Sequence, residues 1–202
     1  MPRKDHWDAV YTTKSSDEVS WYEVDPSLSL NLIQQVSPTP NSVIDVGGGQ
    51  SLLVDRLLDI GIGKVAVLDI SNVALDRTKE RLGGRAANVE WIEADVTSIS
   101  NVGTFDLWHD RAVFHFLTEP KDREAYVELA VKSIPVGGHL VIGTFATDGP
   151  EKCSGLPVCR YDADSMASTL GNRFMLVSGH NHVHETPSGK EQHFFFGVFQ
   201  RV

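Results

Sequence analysis

Three adjacent glycines interrupt the chain at Ser42-Val43-Ile44-Asp45-Val46-Gly47-Gly48-Gly49-Gln50, where an apolar run of strand character meets Ser51-Leu52-Leu53 to Leu58, a segment with leucines at helical spacing. Glycine suits such a junction because the chain turns sharply there and a ligand can approach the backbone amides without meeting Cβ atoms. A dinucleotide fingerprint of the G-x-G-x-x-G type puts its third glycine where Leu52 stands, so the pattern falls short of a pyrophosphate site. Taken alone, the motif also reads as a tight strand-to-helix turn with no ligand.

Two carboxylates shift that balance. In Val65-Ala66-Val67-Leu68-Asp69 an acid closes the second strand, where it can accept both hydroxyl hydrogens of a ribose. In Trp91-Ile92-Glu93-Ala94-Asp95-Val96 another closes the third, where an acid and the following backbone amide can address the amino group and ring nitrogen of adenine. Each acid separately also fits a turn or helix cap. Three ligand-type features on three successive strand ends point to an adenosine-bearing ligand.

Together these residues resemble the class I S-adenosylmethionine-dependent methyltransferases, from about Trp7 onward. Val43 to Gly49 is similar to that family's first motif, Asp69 to its ribose-binding acid and Asp95-Val96 to its adenine-binding pair; Gly48 stands where Cys, Ala or Ser is common. The resemblance implies S-adenosylmethionine as cofactor and S-adenosylhomocysteine as product. It implies cofactor contacts from Trp21, Asp45, Gly47, Gly48, Gly49, Asp69, Ile70, Asp95, Val96, His109, Asp110 and Arg111, with Asp45 orienting the glycine loop near the methionine amino group. It further implies a seven-stranded sheet with its last strand antiparallel, and a lid over the cofactor carrying Trp7, Tyr11, Trp21 and Tyr22. By physics alone those aromatics could instead plug one edge of the core.

Methyl transfer from a sulfonium is an in-line displacement, so a protein chiefly supplies positioning, desolvation and, for a protonated acceptor, a base. No metal is required. Titratable groups crowd the exit of the fourth strand, Phe105-Asp106-Leu107-Trp108-His109-Asp110-Arg111-Ala112-Val113-Phe114-His115-Phe116. His109 and His115 are base candidates because a free imidazole titrates near neutrality. Asp110 and Arg111 are candidates for touching cofactor or substrate, set against a plain ion pair between them and a helix-capping His115. The loop Thr147 to Pro157 carries Cys153, suited to a soft substrate or to packing as a small hydrophobe. Its Cys-Ser-Gly-Leu-Pro segment, with His184-Glu185-Thr186-Pro187, resembles a bacterial branch of small single-domain methyltransferases, which adds Cys153 and His184 to His109, Asp110 and His115 as catalytic candidates. His180, His182 and His184 alternate along a strand, with His193 a candidate neighbour across the hairpin. A rise of about 3.3 Å per residue sets alternate side chains about 7 Å apart, too far for three to close on one ion without bending, so no metal is expected.

Positioning these groups calls for alternating strands and helices. Strand-like runs at Ser42 to Val46, Lys64 to Ile70, Val89 to Ala94, Phe105 to His109 and His139 to Phe145 are buried-type, rich in Val, Ile and Leu. Between them, Ser71 can cap a helix from Asn72 to Leu82 that stops at Gly83-Gly84, and Glu119-Pro120 opens another through Tyr126, Leu129, Ala130 and Ile134. Arg173 to Val183 and Gln192 to Val202, joined by Thr186 to Lys190, are too closely linked for a crossover helix and predict an antiparallel hairpin. Asp25-Pro26 starts a helix carrying Leu28, Leu32, Ile33 and Val36, ended by a Pro38-Thr39-Pro40 break. The expectation is a three-layer α/β sandwich around a mostly parallel sheet in one domain, with residues 1–40 an aromatic appendage and 41–202 the core.

At 202 residues, a single domain with modest additions is the default. With 18 basic and 27 acidic residues the formal charge is -9, which repels a phosphate backbone unless the bases gather on one face, and no Lys/Arg run exists. Nucleic acid is therefore not an expected partner. Cys153 and Cys159 belong to no CxxC set, Met1-Pro2-Arg3-Lys4-Asp5-His6-Trp7 leads into no apolar h-region, and no run approaches a membrane span. A cytoplasmic enzyme methylating a small molecule (a thiol, amine, carboxylate or metalloid) is the preferred reading. Protein lysine methylation is the alternative, followed by a non-catalytic cofactor sensor and a nicotinamide-dependent oxidoreductase, which Leu52 disfavours.

Overall fold

The computed structural model describes residues 3–15, 18–37 and 40–202; Met1-Pro2 and the Pro38-Thr39 part of the expected break lie outside them. In chain order the elements are α1 (Arg3–Thr13), α2 (Ser27–Val36), β1 (Ser42–Val46), α3 (Leu53–Asp59), β2 (Lys64–Asp69), α4 (Asn72–Leu82), β3 (Val89–Glu93), β4 (Leu107–Arg111), α5 (Pro120–Ser133), β5 (His139–Phe145), β6 (Lys152–Cys153), β7 (Leu156–Pro157), α6 (Ala163–Leu170), β8 (Phe174–Glu185) and β9 (Glu191–Arg201). Short 3-10 turns occupy Gly83–Asn88 and Phe114–Phe116.

The main sheet runs β3-β2-β1-β4-β5-β9-β8. Its first five strands are parallel, and β9 is antiparallel to both β5 and β8. The expected seven-stranded sheet with its terminal hairpin is thus observed. Strand order reverses between β1 and β4, the place where open α/β sheets leave a crevice at their carboxyl edge. Central strands are apolar on both faces because both are covered: Val65, Ala66, Val67 and Leu68 of β2 are all buried. One face packs against Tyr126, Leu129 and Ala130 of α5 with Met166 and Leu170 of α6. The other packs against Leu30, Leu32 and Ile33 of α2, Leu53 and Leu57 of α3, and Leu75 of α4. Hence α2 is part of one helical layer, while α1 lies across the end of α4.

Local chemistry explains the boundaries. The Ser71 hydroxyl accepts from the Ala74 amide to start α4, and Pro120, whose missing N–H costs nothing in a first turn, opens α5. The fourth strand is displaced from its expected span of Phe105 to His109: the Phe105 amide donates to Ser133 O and the Asp106 amide to Ser42 Oγ, so ladder pairing begins at Leu107. Two helices go beyond the sequence reading. In α1 Trp7 and Tyr11 stand four residues apart on one side, and α6 starts at a capping box of Asp162 and Ser165. The long loop after β5 contains the β6–β7 hairpin, turned by Ser154 and Gly155 at φ 49° and 79°, the left-handed pair that a two-residue hairpin turn demands.

Candidate active site

The glycine turn is shaped as much by its neighbours as by any ligand. Gly47 has φ +70°, and a Cβ there would stand 2.0 Å from Val113 Cγ2; a Cβ on Gly48 would stand 2.6 Å from Asp45 Oδ2, and one on Gly49 2.8 Å from Asp69 Oδ2. The glycines therefore leave room for the two carboxylates. Asp45 Oδ1 meets His109 Nδ1 at 2.7 Å, and His109 Nε2 meets the Ser29 hydroxyl at 2.9 Å. Both ring nitrogens are occupied, so His109 braces Asp45 and has no nitrogen free to take a proton from an acceptor. Among the described residues Asp45 Oδ2 is buried without a hydrogen-bond partner, on a residue that borders the crevice.

Asp69, at the end of β2, accepts the Ser71 amide at 2.8 Å and is 5% exposed. Burial pushes its carboxyl up to about 7, against the Ser71 and Gly49 amides, which favour the ionised form. Asp95 accepts both the amide and the hydroxyl of Thr97. A cavity with about 750 Å³ of empty space, partly open to solvent, gathers Trp21, Gly47, Asp69, Ile70, Asp95, Val96, Arg111 and Cys153. A second cavity carries Asp45, Gly48 and His109 and shares Tyr11, Trp21, Gly47 and Arg111 with the first. Gly49 lies beneath, against Asp69 and Tyr11.

The roof comes from the amino-terminal aromatics. Trp7 stands edge-on to Trp21 at 5.7 Å and to Phe116 at 5.0 Å, while Tyr11 stands edge-on to Trp21 at 6.3 Å. Helix α1 is tied down by polar contacts at the carboxyl ends of β2 and β3 and on α5: Arg3 to Asp95 at 3.6 Å and to Asp122, Lys4 to Glu93 at 2.9 Å, and the Ser71 hydroxyl to Asp8 at 2.6 Å.

Beyond β4 the titratable residues separate. Side chains alternate along a strand, so Asp110 and Arg111 face opposite ways and make no ion pair with each other. Asp110 points into the α5 layer, where it accepts from the Tyr126 hydroxyl at 2.7 Å and from the amides of Val113 and Phe114. Burial raises its carboxyl to about 6, with Tyr126 opposing. This clamp holds Ala112 at φ 69° and so turns Val113 over Gly47. His115 lies outside both cavities: its Nδ1 accepts the Phe145 amide at 3.3 Å, and burial, reinforced by Arg111, lowers it to about 3. Cys153 does reach the first cavity, as a thiol pushed up to about 11 by burial. His184 sits behind the roof, its Nε2 donating to Ser20 O at 2.8 Å. Cross-strand register pairs His193 with Val183, on the other face from His182 and His184, so the four histidines do not converge. Among the described residues no cluster of His, Cys, Asp or Glu is arranged to hold a metal ion.

Comparison with known proteins bears on the domain that holds these residues. Residues 43–138 match the family described as "Methyltransferase domain". Residues 43–138 thus carry a methyltransferase domain, set in the class I fold. The mouse eEF1A lysine and N-terminal methyltransferase is 27% identical over 95 residues, 47% of this chain and 14% of that protein. A tRNA U34 carboxymethyltransferase of Shewanella halifaxensis is 26% identical over 133 residues, 64% of this chain and 39% of that protein. This chain thus spans well under two thirds of either relative. The N-methyltransferase NodS of Bradyrhizobium japonicum, solved with S-adenosyl-L-homocysteine, superposes at a TM-score of 0.73 and 16% identity over 98% of this chain and 99% of its own.

The residues of this methyltransferase domain fit the cofactor of the class. The unpartnered Asp45 Oδ2 would offer an acceptor to an ammonium group, Asp69 an acceptor to ribose hydroxyls, and Asp95 with Val96 the edge for an adenine. The structure adds partners that spacing could not supply: Ser29, Glu23, Tyr126 and the ionic ties of α1. Ser29 left one trace in the sequence, a polar residue beside Leu28, Leu30, Leu32 and Ile33 on an otherwise apolar helix side.

Proposed function

We propose that this chain transfers a methyl group from S-adenosylmethionine to a small-molecule acceptor bound beside Cys153 and Arg111. The observation that carries this reading is the roof: Trp7, Tyr11 and Trp21 lie over the cavity on segments fastened by Arg3, Lys4 and Arg111, so the acceptor reacts in a roofed, largely apolar space. The cofactor supplies an activated methyl group on sulfonium sulfur. This chain's part is positioning and exclusion of water. Asp45, Gly47 to Gly49, Asp69, Ile70, Asp95 and Val96 hold the donor; the aromatics close over it as a lid. Proton removal is not assigned to an imidazole, since His109 is engaged at both nitrogens and His115 and His184 line neither cavity.

A protein lysine acceptor is the second reading, favoured by the mouse relative's name. Methyl-labelled S-adenosylmethionine incubated with separated small-molecule, protein and RNA fractions of a cell extract decides between them. Label is expected in the small-molecule fraction, and label confined to protein or RNA overturns the preference. Asp69→Ala should greatly weaken S-adenosylhomocysteine binding by calorimetry; unchanged affinity would remove the cofactor assignment.

A further inference from the structure

Arg111 ends β4 on the same side as His109, but its guanidinium extends away from the strands that carry Asp45, Asp69 and Asp95. It reaches toward β9, where its carbon lies 5.2 Å from the Phe194 ring centre. It borders both cavities, with Cys153 in one wall of the first. Its Nη1 donates to Trp21 O at 2.8 Å, and its Nη2 pairs with Glu23 Oε1 at 3.0 Å. The Nη2 contact matches charges without hydrogen-bond geometry, and Nε also lacks an acceptor, although both nitrogens are shut off from water. A guanidinium presents a planar fork of five donors that suits a bidentate oxyanion. Glu23 fills that role incompletely. It belongs to the roof, ahead of α2, and its Oε1 is also 3.9 Å from His184 Nδ1. Glu23, His184, His115, Asp45 and Cys153 are the titratable groups coupled to this cation among the described residues, and of them only Glu23 comes within ion-pair distance.

We propose that Arg111 is the recognition residue for an anionic acceptor: a carboxylate or similar oxyanion on the molecule to be methylated displaces Glu23 from the guanidinium, at the end of the cavity bounded by Cys153, Phe116 and Trp21. Calling the ligand an acceptor rests on the methyltransferase reading above; the anion preference rests on Arg111 alone. Glu23 then doubles as the closing latch and as a stand-in counter-ion while no acceptor is bound.

Benzoate and its neutral isostere benzamide test this by calorimetry on the full chain loaded with S-adenosylhomocysteine. Benzoate is expected to bind about tenfold tighter than benzamide, a ratio that a charge-assisted pair supports. Glu23→Gln should strengthen benzoate several-fold by removing the competitor. Arg111→Met should erase the ratio, and the double variant Glu23→Gln/Arg111→Met, which leaves no unpaired charge, should erase it too with a normal circular dichroism spectrum. Equal affinities for the two probes in Glu23→Gln, or no benzoate binding there, overturn the proposal. So does loss of S-adenosylhomocysteine binding in the folded double variant, which would move Arg111 to the cofactor. Should the wild-type chain fail to bind S-adenosylhomocysteine, the methyltransferase reading falls, while the benzoate ratio measured without it still judges Arg111.

Discussion

His109 and Asp45 face each other in direct register across the β4–β1 ladder, and their side chains join at 2.7 Å in the interior. With Ser29 on the far nitrogen, the imidazole links α2 to the strand that carries the glycine turn. His109→Ala leaves Asp45 buried and unbraced. The expected result is a stability loss of about 2–3 kcal/mol in urea melts and S-adenosylhomocysteine affinity weakened roughly tenfold or more. A catalytic-base role would show the opposite pattern, with turnover lost and affinity kept.

In the ribose-binding role proposed for it, Asp69 should give cofactor binding a pH dependence. Its carboxyl sits near 7 in the free protein, so below that pH it carries a proton and accepts ribose hydroxyls poorly. S-adenosylhomocysteine affinity should fall as pH drops from 8 to 6 and level off above, whereas Asp69→Asn should bind weakly at every pH. Stability runs the other way. A folded value raised above the unfolded one contributes stability that is full below about pH 4 and is lost as pH rises through about 7. Denaturation of the ligand-free chain across that window checks the sign, with Asp110, raised to about 6, adding to the trend.

Gly48→Ala tests whether the middle glycine of the turn is free to vary. A Cβ there meets Asp45 Oδ2 at 2.6 Å and Val67 Cγ1 at 2.9 Å. Asp45 must shift away from His109, and a cost of about 1–3 kcal/mol is expected from such overpacking, with weakened S-adenosylhomocysteine binding. Wild-type affinity and melting behaviour would show that the carboxylate yields without penalty.

Tyr126→Phe probes the clamp behind the site. The hydroxyl donates to Asp110 and accepts from Trp108 Nε1 at 2.9 Å, so its loss strands two buried partners. Chemical denaturation should show a loss of about 2–4 kcal/mol, and the Asp110 carboxyl should rise further above 6.

The ties of α1 are half-exposed ion pairs and should respond to salt. Raising ionic strength from 0.05 to about 0.5 M shortens the screening length to a few ångströms. Release of S-adenosylhomocysteine, followed by tryptophan fluorescence, should quicken, and Lys4→Ala should blunt that response by removing the Glu93 and Asp8 contacts.

The grouping of Asp45, Asp69, Asp95 and the glycines at one sheet edge, the donor half of the proposed site, was legible in the chain because its chemistry is local. A run such as Val65 to Asp69 is apolar because the strand is buried, and its acid is polar because the strand has ended, so sequence alone places Asp69 and Asp95 at one sheet edge and the glycines beside them. The segment that ends β4 is not local in that sense. His109, Asp110 and Arg111 read as one reactive cluster, yet ladder pairing begins at Leu107 and alternation then divides them between two layers. Their partners, Ser29, Tyr126 and Glu23, are distant in sequence and reach them only through tertiary packing. Residue order determined which groups could bind an adenosyl donor; only the folded sheet decided which neighbours brace one another and which cation is left facing the cavity, because hydrogen-bond partners in a protein interior are allotted by contact in space.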